Sequence, residues 1–361
     1  MTDLDQDILR TLRDHAEGPV DTDRLLARSV AGGRRRRRHR RALLGGGLAL
    51  VALLGGVAVG PGLPGVSRPF TATGPAGTTG PVPPVVGAAP GAAAAPQVIG
   101  TDPQVLHFGI DPARARYLGW GVVRGVETIQ VDVGDGQTVT VDVANSVAAL
   151  RNYVFDGQSV EIVKIATEAA FDGRTSRVTA NGRPVQVRHW HPAPGVYARA
   201  TVQADTDTGL RVAARALRVD EARRCTGPVR VTSLPSGSRT ASCQVDVSHS
   251  PGLITARIDV SRPGEQRMSL SYRYAIEAGM APEAGNTEVD GKPAQLDPGP
   301  PKTPAKGQKP EVRGRLELLG LGKARLVVQW GWPYYGFDEV DAAVVLAGAR
   351  VADPTRPDTW D

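Results

Sequence analysis

Hydrophobic and polar residues alternate along much of the C-terminal two thirds of this chain. Thr128-Ile129-Gln130-Val131-Asp132-Val133 and Gln137-Thr138-Val139-Thr140-Val141-Asp142-Val143 both carry the period of two that marks a half-buried strand. Gly134-Asp135-Gly136 between them predicts a hairpin. Further strands are predicted at 159–165, 184–190, 196–204, 229–234, 243–247, 253–260, 267–276 and 324–331. The period changes to helical in two alanine-rich stretches, Thr208–Leu217 and Asp338–Leu346. The fold class expected for this region is α+β, mostly β.

The pattern also repeats. Ile129-Gln130-Val131-Asp132-Val133 reappears as Cys243-Gln244-Val245-Asp246-Val247, and Val178-Thr179-Ala180-Asn181-Gly182-Arg183-Pro184-Val185 as Thr287-Glu288-Val289-Asp290-Gly291-Lys292-Pro293-Ala294. The order is the same, and the offsets of 114 and 109 residues are similar. A tandem repeat of two β-rich modules, each ending in a short helix, is expected: 101–225 and 226–361, with a proline-rich insertion at 293–310 in the second.

The N-terminal third has a different pattern. Ala42–Gly60 contains no polar side chain over 19 residues, a helix of roughly 28 Å against a hydrocarbon core of ~30 Å. Seven arginines between Arg34 and Arg41 abut it. The positive-inside rule places residues 1–41 in the cytoplasm, 42–60 across the bilayer as a transmembrane helix, and the remainder outside. The expected location is the plasma membrane, single-pass, with the lipid bilayer itself as a partner. Cleavage as a signal peptide is the competing reading, but a charged region of 41 residues exceeds the usual length.

Within the tail, Leu4, Ile8, Leu9 and Leu12 fall on one helical face. They are candidates for contact with a cytoplasmic protein. A helix this short, however, is marginal alone in water, and disorder or membrane contact explains the same residues. Residues 61–100 hold 9 Pro, 8 Gly and 8 Ala with Arg68 as the single charge, and read as a linker.

Charge then changes the picture. The chain of 361 residues has a formal charge of +6, of which residues 1–41 carry +4, from 11 Arg against 7 Asp or Glu. The exterior is nearly neutral, so its composition gives no ground for nucleic-acid binding. Its two cysteines, Cys225 and Cys243, read as a disulfide in an oxidising compartment. Pro235-Ser236-Gly237-Ser238 lies midway between them and suggests a hairpin that sets them opposite each other.

Three groups of residues were candidates for chemistry. His189-Trp190-His191 on a strand would present both imidazoles on one face; zinc needs three or four ligands, so a polar face over a packed Trp190 is the preferred reading. Asp205-Thr206-Asp207-Thr208-Gly209 resembles the start of a calcium loop but lacks its later ligands, and Asp207 or Thr206 as a helix cap accounts for it. Trp330, Trp332, Tyr334, Tyr335 and Phe337 concentrate aromatics either as a ligand surface, such as for a cell-wall ligand, or as a buried corner. GxSxG, SxxK, HExxH and phosphate-loop motifs are absent. No catalytic residue, metal or cofactor is expected, and the chain is not expected to be an enzyme.

The tail Leu4–Arg41, the segment Ala42–Gly60, and the paired elements Asn181-Gly182-Arg183-Pro184 and Asp290-Gly291-Lys292-Pro293 resemble the layout of actinobacterial single-pass membrane proteins. In these a short acidic-then-arginine-rich tail precedes one helix and a β-rich exterior. Some look like membrane-anchored regulators of extracytoplasmic-function sigma factors. That resemblance implies a sensing or regulatory protein whose partner is a sigma factor. The tail has His15 and His39 but no cysteine, so the HxxxCxxC zinc pattern of some such regulators is not carried over. The alternatives are a structural cell-envelope binding module whose tail only sets topology, and an exported hydrolase.

Overall fold

The computed structural model describes residues 80–150, 168–180, 183–264, 266–280, 282–297, 313–331 and 336–360. The tail with Leu4, Ile8, Leu9 and Leu12, the segment 42–60, the predicted strand 159–165, and Trp332, Tyr334 and Tyr335 lie outside these residues. Among the described residues no helix is long and apolar enough to cross a membrane.

Two short strands, β1 (Val105–Leu106) and β2 (Gly109–Ile110), precede three long ones, β3 (Arg116–Val123), β4 (Val126–Asp132) and β5 (Thr138–Ala144). A single-turn helix, α1 (Val147–Leu150), follows, then β6 (Thr175–Ala180), β7 (Arg183–Ala193), β8 (Val196–Val202), α2 (Thr208–Ala216), β9 (Leu217–Arg218) and β10 (Arg223–Arg224). The C-terminal half comprises β11 (Val229–Val231), β12 (Arg239–His249), β13 (Leu253–Arg262), β14 (Gln266–Ala275), β15 (Thr287–Val289), β16 (Lys292–Asp297), β17 (Arg313–Leu318), β18 (Ala324–Gly331), α3 (Glu339–Ala347) and β19 (Ala349–Val351). The protein is mostly β, as the alternation predicts.

Thirteen of these strands form one antiparallel sheet in the order β15-β16-β17-β18-β14-β13-β12-β3-β4-β5-β8-β7-β6. The first long strands of the two halves, β3 and β12, meet at its middle, with Val122 opposite Cys243 and Trp120 opposite Val245. In each half a short strand ahead of the sheet pairs with the strand just after the helix: β2 with β9, and β11 with β19. The predicted division at 225/226 falls between β10 and β11, and the β3–β12 pairing joins the segments on either side of it.

One face of the sheet is apolar and carries the core. Val139, Val141 and Val143 of β5, Ala198 and Ala200 of β8, Met268, Leu270 and Tyr272 of β14, and Leu326 and Val328 of β18 are all buried there. Helices α2 and α3 cover this face, α2 over β5, β7 and β8 and α3 over β15, β17 and β18. Helix α2 sits close because residue 209 is glycine: a Cβ there would lie 2.6 Å from the Gln137 side chain. Helix α3 begins with a capping box in which Asp338 accepts from the Asp341 backbone and Asp341 reaches back, satisfying amides left open at a helix start.

Several expectations need correction. Residues 80–100, assigned to the linker, are folded. Ala92 and Ile99 are fully buried, Val85 bridges to Arg223, and Arg224 N–H donates to the Pro84 carbonyl at 2.7 Å. Proline and glycine do not prevent this, because the segment finds backbone partners in Arg224 of β10 and in Val219, Ala222 and His107 outside it. The insertion at 293–310 begins as sheet, since Lys292–Asp297 is β16 and pairs with β17. The cysteines do form a disulfide, but no hairpin sets them opposite each other. Strand β11 pairs with β19 and not with β12, so the bond runs from the end of β10 to the middle of β12. Neither repeat anchor falls on places that the sheet order makes equivalent. The second lies on the hairpins β6–β7 and β15–β16, but β7 pairs directly with β8 whereas β17 stands between β16 and β18. For the first, Ile129–Val133 lies on β4 and its terminal turn and Cys243–Val247 on β12, and β12 occupies the place in its half that β3 holds in the other.

Candidate functional site

The sheet's second face is polar, and in the N-terminal half it is covered. Register aligns Thr128 of β4 with Asp142 of β5, Asp142 with Arg199 of β8, and Arg199 with His189 of β7. All four therefore stand in one row across neighbouring strands. Asp142 and Arg199 are each 2% exposed. The guanidinium gives Asp142 Oδ2 two hydrogen bonds, from Nε at 2.9 Å and Nη2 at 2.5 Å, while Nη1 reaches the Leu150 carbonyl at 3.0 Å. Thr128 Oγ1 donates to Asp142 Oδ1 at 2.8 Å. Leu150 of α1 and Phe171 close over this row together with Val126 and Ala144.

His189 and His191 project onto this same face, while Trp190 packs against the main core from the other side. Phe171 lies over both histidines, with ring centroids at 5.1 and 5.5 Å, and edge-on to Tyr197 at 5.2 Å. His189 is 6% exposed, and its Nε2 has no hydrogen-bond partner among the described residues. Burial and then the Arg199 charge push its pKa down to about 4. It is neutral near pH 7 and weakly basic, a poor proton acceptor. His191 is exposed, its ring 4.7 Å from Tyr197 and its Nδ1 3.2 Å from the Val196 carbonyl. Glu168 accepts from the Tyr197 hydroxyl at 3.0 Å, raising that phenol's pKa.

The other histidines are elsewhere. His107 Nδ1 is 2.6 Å from Glu127 Oε1, and that buried carboxylate also accepts from the backbone of Gly100 and His107. This clamps the 100–107 loop onto β4. His249 contacts Ser248. Among the described residues no cluster of three or more His, Cys, Asp or Glu has the arrangement to hold a metal ion.

Trp330 is 7% exposed and lies in the core, so it leaves the expected ligand surface. Its indole occupies the space over Gly314, where a Cβ would come within 2.0 Å of the ring. Phe337 is also buried, with the Arg262 guanidinium 4.5 Å from its ring centre. Asp207 is the residue before α2, as expected, but its side chain does not cap the helix. Its carboxylate holds Arg211 at 2.6 Å and Thr175 at 3.3 Å, and Asp205 pairs with Arg177.

No family model matches this chain. No curated protein matches it either. A solved structure, the crystal structure of MucB in complex with MucA(peri), aligns over 70% of this chain and 93% of its own at 13% sequence identity, with a TM-score of 0.22. A likeness at that score carries no argument about function.

Sequence reading found the shared histidine face. It missed the Asp142–Arg199 pair, because its members are 57 residues apart and nothing local says that β5 and β8 are neighbours. It also missed Glu127, whose position in an alternating run gives no sign that its carboxylate is buried.

Proposed function

We propose that this chain is a single-pass membrane protein with a non-enzymatic extracytoplasmic sensing or regulatory domain and a tail, residues 1–41, that contacts a cytoplasmic protein, a sigma factor being the candidate. One observation carries this reading: the arginine block Arg34–Arg41 lies directly against the apolar run Ala42–Gly60, and a basic flank favours retention on the cytoplasmic side. The Cys225–Cys243 disulfide lies beyond that run, in the part of the chain that this topology exports, and so supports it.

The finer reading is that the domain is two copies of one module. Its support is the shared path β3-β4-β5-β8-β7 and β12-β13-β14-β18-β17, and the shared closure of β2 on β9 and β11 on β19. An experimental structure in which these elements of the two halves fail to superpose would refute it.

Topology is tested with alkaline phosphatase fused after Gly33 or after Gly80. The proposal expects enzyme activity only from the second fusion; activity from the first overturns it. The partner is tested by crosslinking and pulldown from cells carrying the wild-type chain or the Leu9→Asp, Leu12→Asp double variant. A sigma factor lost in the variant supports regulation. Recovery of no protein by either form favours the envelope-binding module.

A further inference from the structure

The seam between the two halves contains a cleft that none of the features above explains. Strand β3 ends at Val123, opposite Ser242, and turns back into β4 through Arg124 and Gly125. Strand β12 runs on past that point. Its residues Arg239 and Thr240 pair with Ser261 and Val260 of β13, with an irregularity in register before Ser242. On their other side no strand pairs with them among the described residues. The 100–103 loop, held by the Glu127 carboxylate through the Gly100 amide, faces this notch. Between them lies a cleft of about 320 Å³, within the range of small-ligand sites.

Three arginines line it: Arg124, Arg239 and Arg267. Register sets Arg239 and Arg267 on either side of Ser261, in one row across β12, β13 and β14. With strands ~4.8 Å apart, the two arginines flank the Ser261 hydroxyl on one face. Many arginines of this domain pair with a carboxylate, among them Arg116 with Asp132 and Arg262 with Asp341. Among the described residues these three have no such partner. The carboxylate in the cleft, Asp259, is already engaged by Arg257 Nε at 2.9 Å and by Ser242 Oγ at 2.8 Å. Among its described lining residues the cleft therefore carries three arginines, hydroxyl donors and the single, already engaged, carboxylate of Asp259.

The backbone adds an independent sign. Arg124 has φ +52° and Gly125 φ +80°, the conformation of a tight two-residue hairpin turn. Glycine, asparagine or aspartate suits the first of these positions. Arginine pays a conformational cost there, and such departures concentrate where function requires the side chain.

We propose that this cleft binds a small oxyanion with two or more negative charges, of the phosphate or polycarboxylate class. Guanidinium forks match both groups through paired charge-assisted hydrogen bonds, and placement from two strands and a turn lets them approach the anion from different sides. The inference rests on the described domain alone and does not depend on which side of a membrane that domain occupies.

The test is calorimetric titration of the full-length chain with inorganic phosphate and, separately, citrate. The Arg34–Arg41 block will also attract anions, so the decisive quantity is the saturable component that differs between variants. Arg239→Gln and Arg267→Gln should each weaken that component about tenfold or more, while Arg215→Gln, an exposed change of the same charge on α2, should leave it unaltered. Arg124→Gly should weaken binding yet raise the melting temperature by ~2 °C, because the turn is relieved of its unsuited residue. Binding of phosphate alone or of citrate alone supports the site and fixes the class. No saturable component with either anion overturns the proposal, as does equal binding by Arg239→Gln, Arg267→Gln and wild type.

Discussion

Replacing Asp142 with alanine removes the carboxylate that faces a guanidinium 2% exposed to solvent. Breaking a buried ion pair from one side typically costs about 3–5 kcal/mol, because the remaining charge stays buried without its counter-charge. Two details of this structure place the expected value in the upper part of that range. Asp142 receives two bonds from Arg199 and one from Thr128, so its loss also strands a buried hydroxyl. The pair is further enclosed by Leu150 and Phe171, which limits rescue by water. In a domain of this size the change corresponds to a melting temperature lower by roughly 10 °C. The informative comparison is the double variant Asp142→Leu, Arg199→Met. It removes both charges at once; the Thr128 hydroxyl and the Leu150 carbonyl lose a partner, but no buried charge is left opposed by nothing, so it should cost less than Asp142→Ala alone. Urea unfolding followed by tryptophan fluorescence, applied also to Asp142→Leu and to Arg199→Met singly, closes the cycle. If Asp142→Ala costs less than about 1 kcal/mol, or if the double variant costs the full sum of its single changes, the row is not the electrostatic unit described above.

Three further outcomes are expected. Reducing the disulfide, or substituting Cys225→Ser with Cys243→Ser, should lower stability by ~3 kcal/mol for a loop of this length, read as a dithiothreitol-dependent fall in melting temperature that the double serine variant no longer shows. Gly314→Ala should destabilise by about 1–3 kcal/mol or more, since the added methyl would overlap the buried Trp330 ring; an unchanged urea midpoint would mean that Trp330 is free to move. His189 has its pKa pushed down to about 4 from an ordinary value of 6.5, so the unfolded chain binds more protons than the folded one between those values. Its contribution is present above pH 6.5 and is lost as pH falls towards 4, by up to ~3 kcal/mol. His189→Gln should flatten that acid limb of the stability profile, and an identical limb in the variant would refute the assignment.

What was legible in the sequence was local. The hairpin at Gly134–Gly136 stands where alternation and turn residues put it, with all three of Gly134, Asp135 and Gly136 at positive φ. The two helices fall within a residue or so of Thr208–Leu217 and Asp338–Leu346. Strand β3 was not legible. Its run Tyr117–Val122 is buried on both faces, so it shows no alternation to detect. Nor was the pairing of β3 with β12, or of β11 with β19, which bring together residues more than a hundred positions apart. The site suffered most from this. His189 and His191 share a face by the geometry of one strand, which sequence supplies. Their companions Asp142, Arg199 and Phe171, and the cluster of Arg124, Arg239 and Arg267 at the seam, depend on which strands are neighbours.

The route by which the chain enters the folded domain has a mechanical consequence. Residues 83–86 lie against Ala222, Arg223 and Arg224, through the Arg223 guanidinium on the Pro83 carbonyl and backbone bonds at Pro84 and Val86. The next residue, Cys225, is tied covalently to Cys243 on the central strand β12. A pull on anything preceding Gly80 would therefore reach β10 first and then pass through a sulfur–sulfur bond to the middle of the sheet, bypassing the edge strands β6 and β15. Stretching should peel away the short contacts at 83–86 while the sheet stays whole. After reduction, β10 and the 83–86 segment docked on it would be held to the central strand by noncovalent contacts alone.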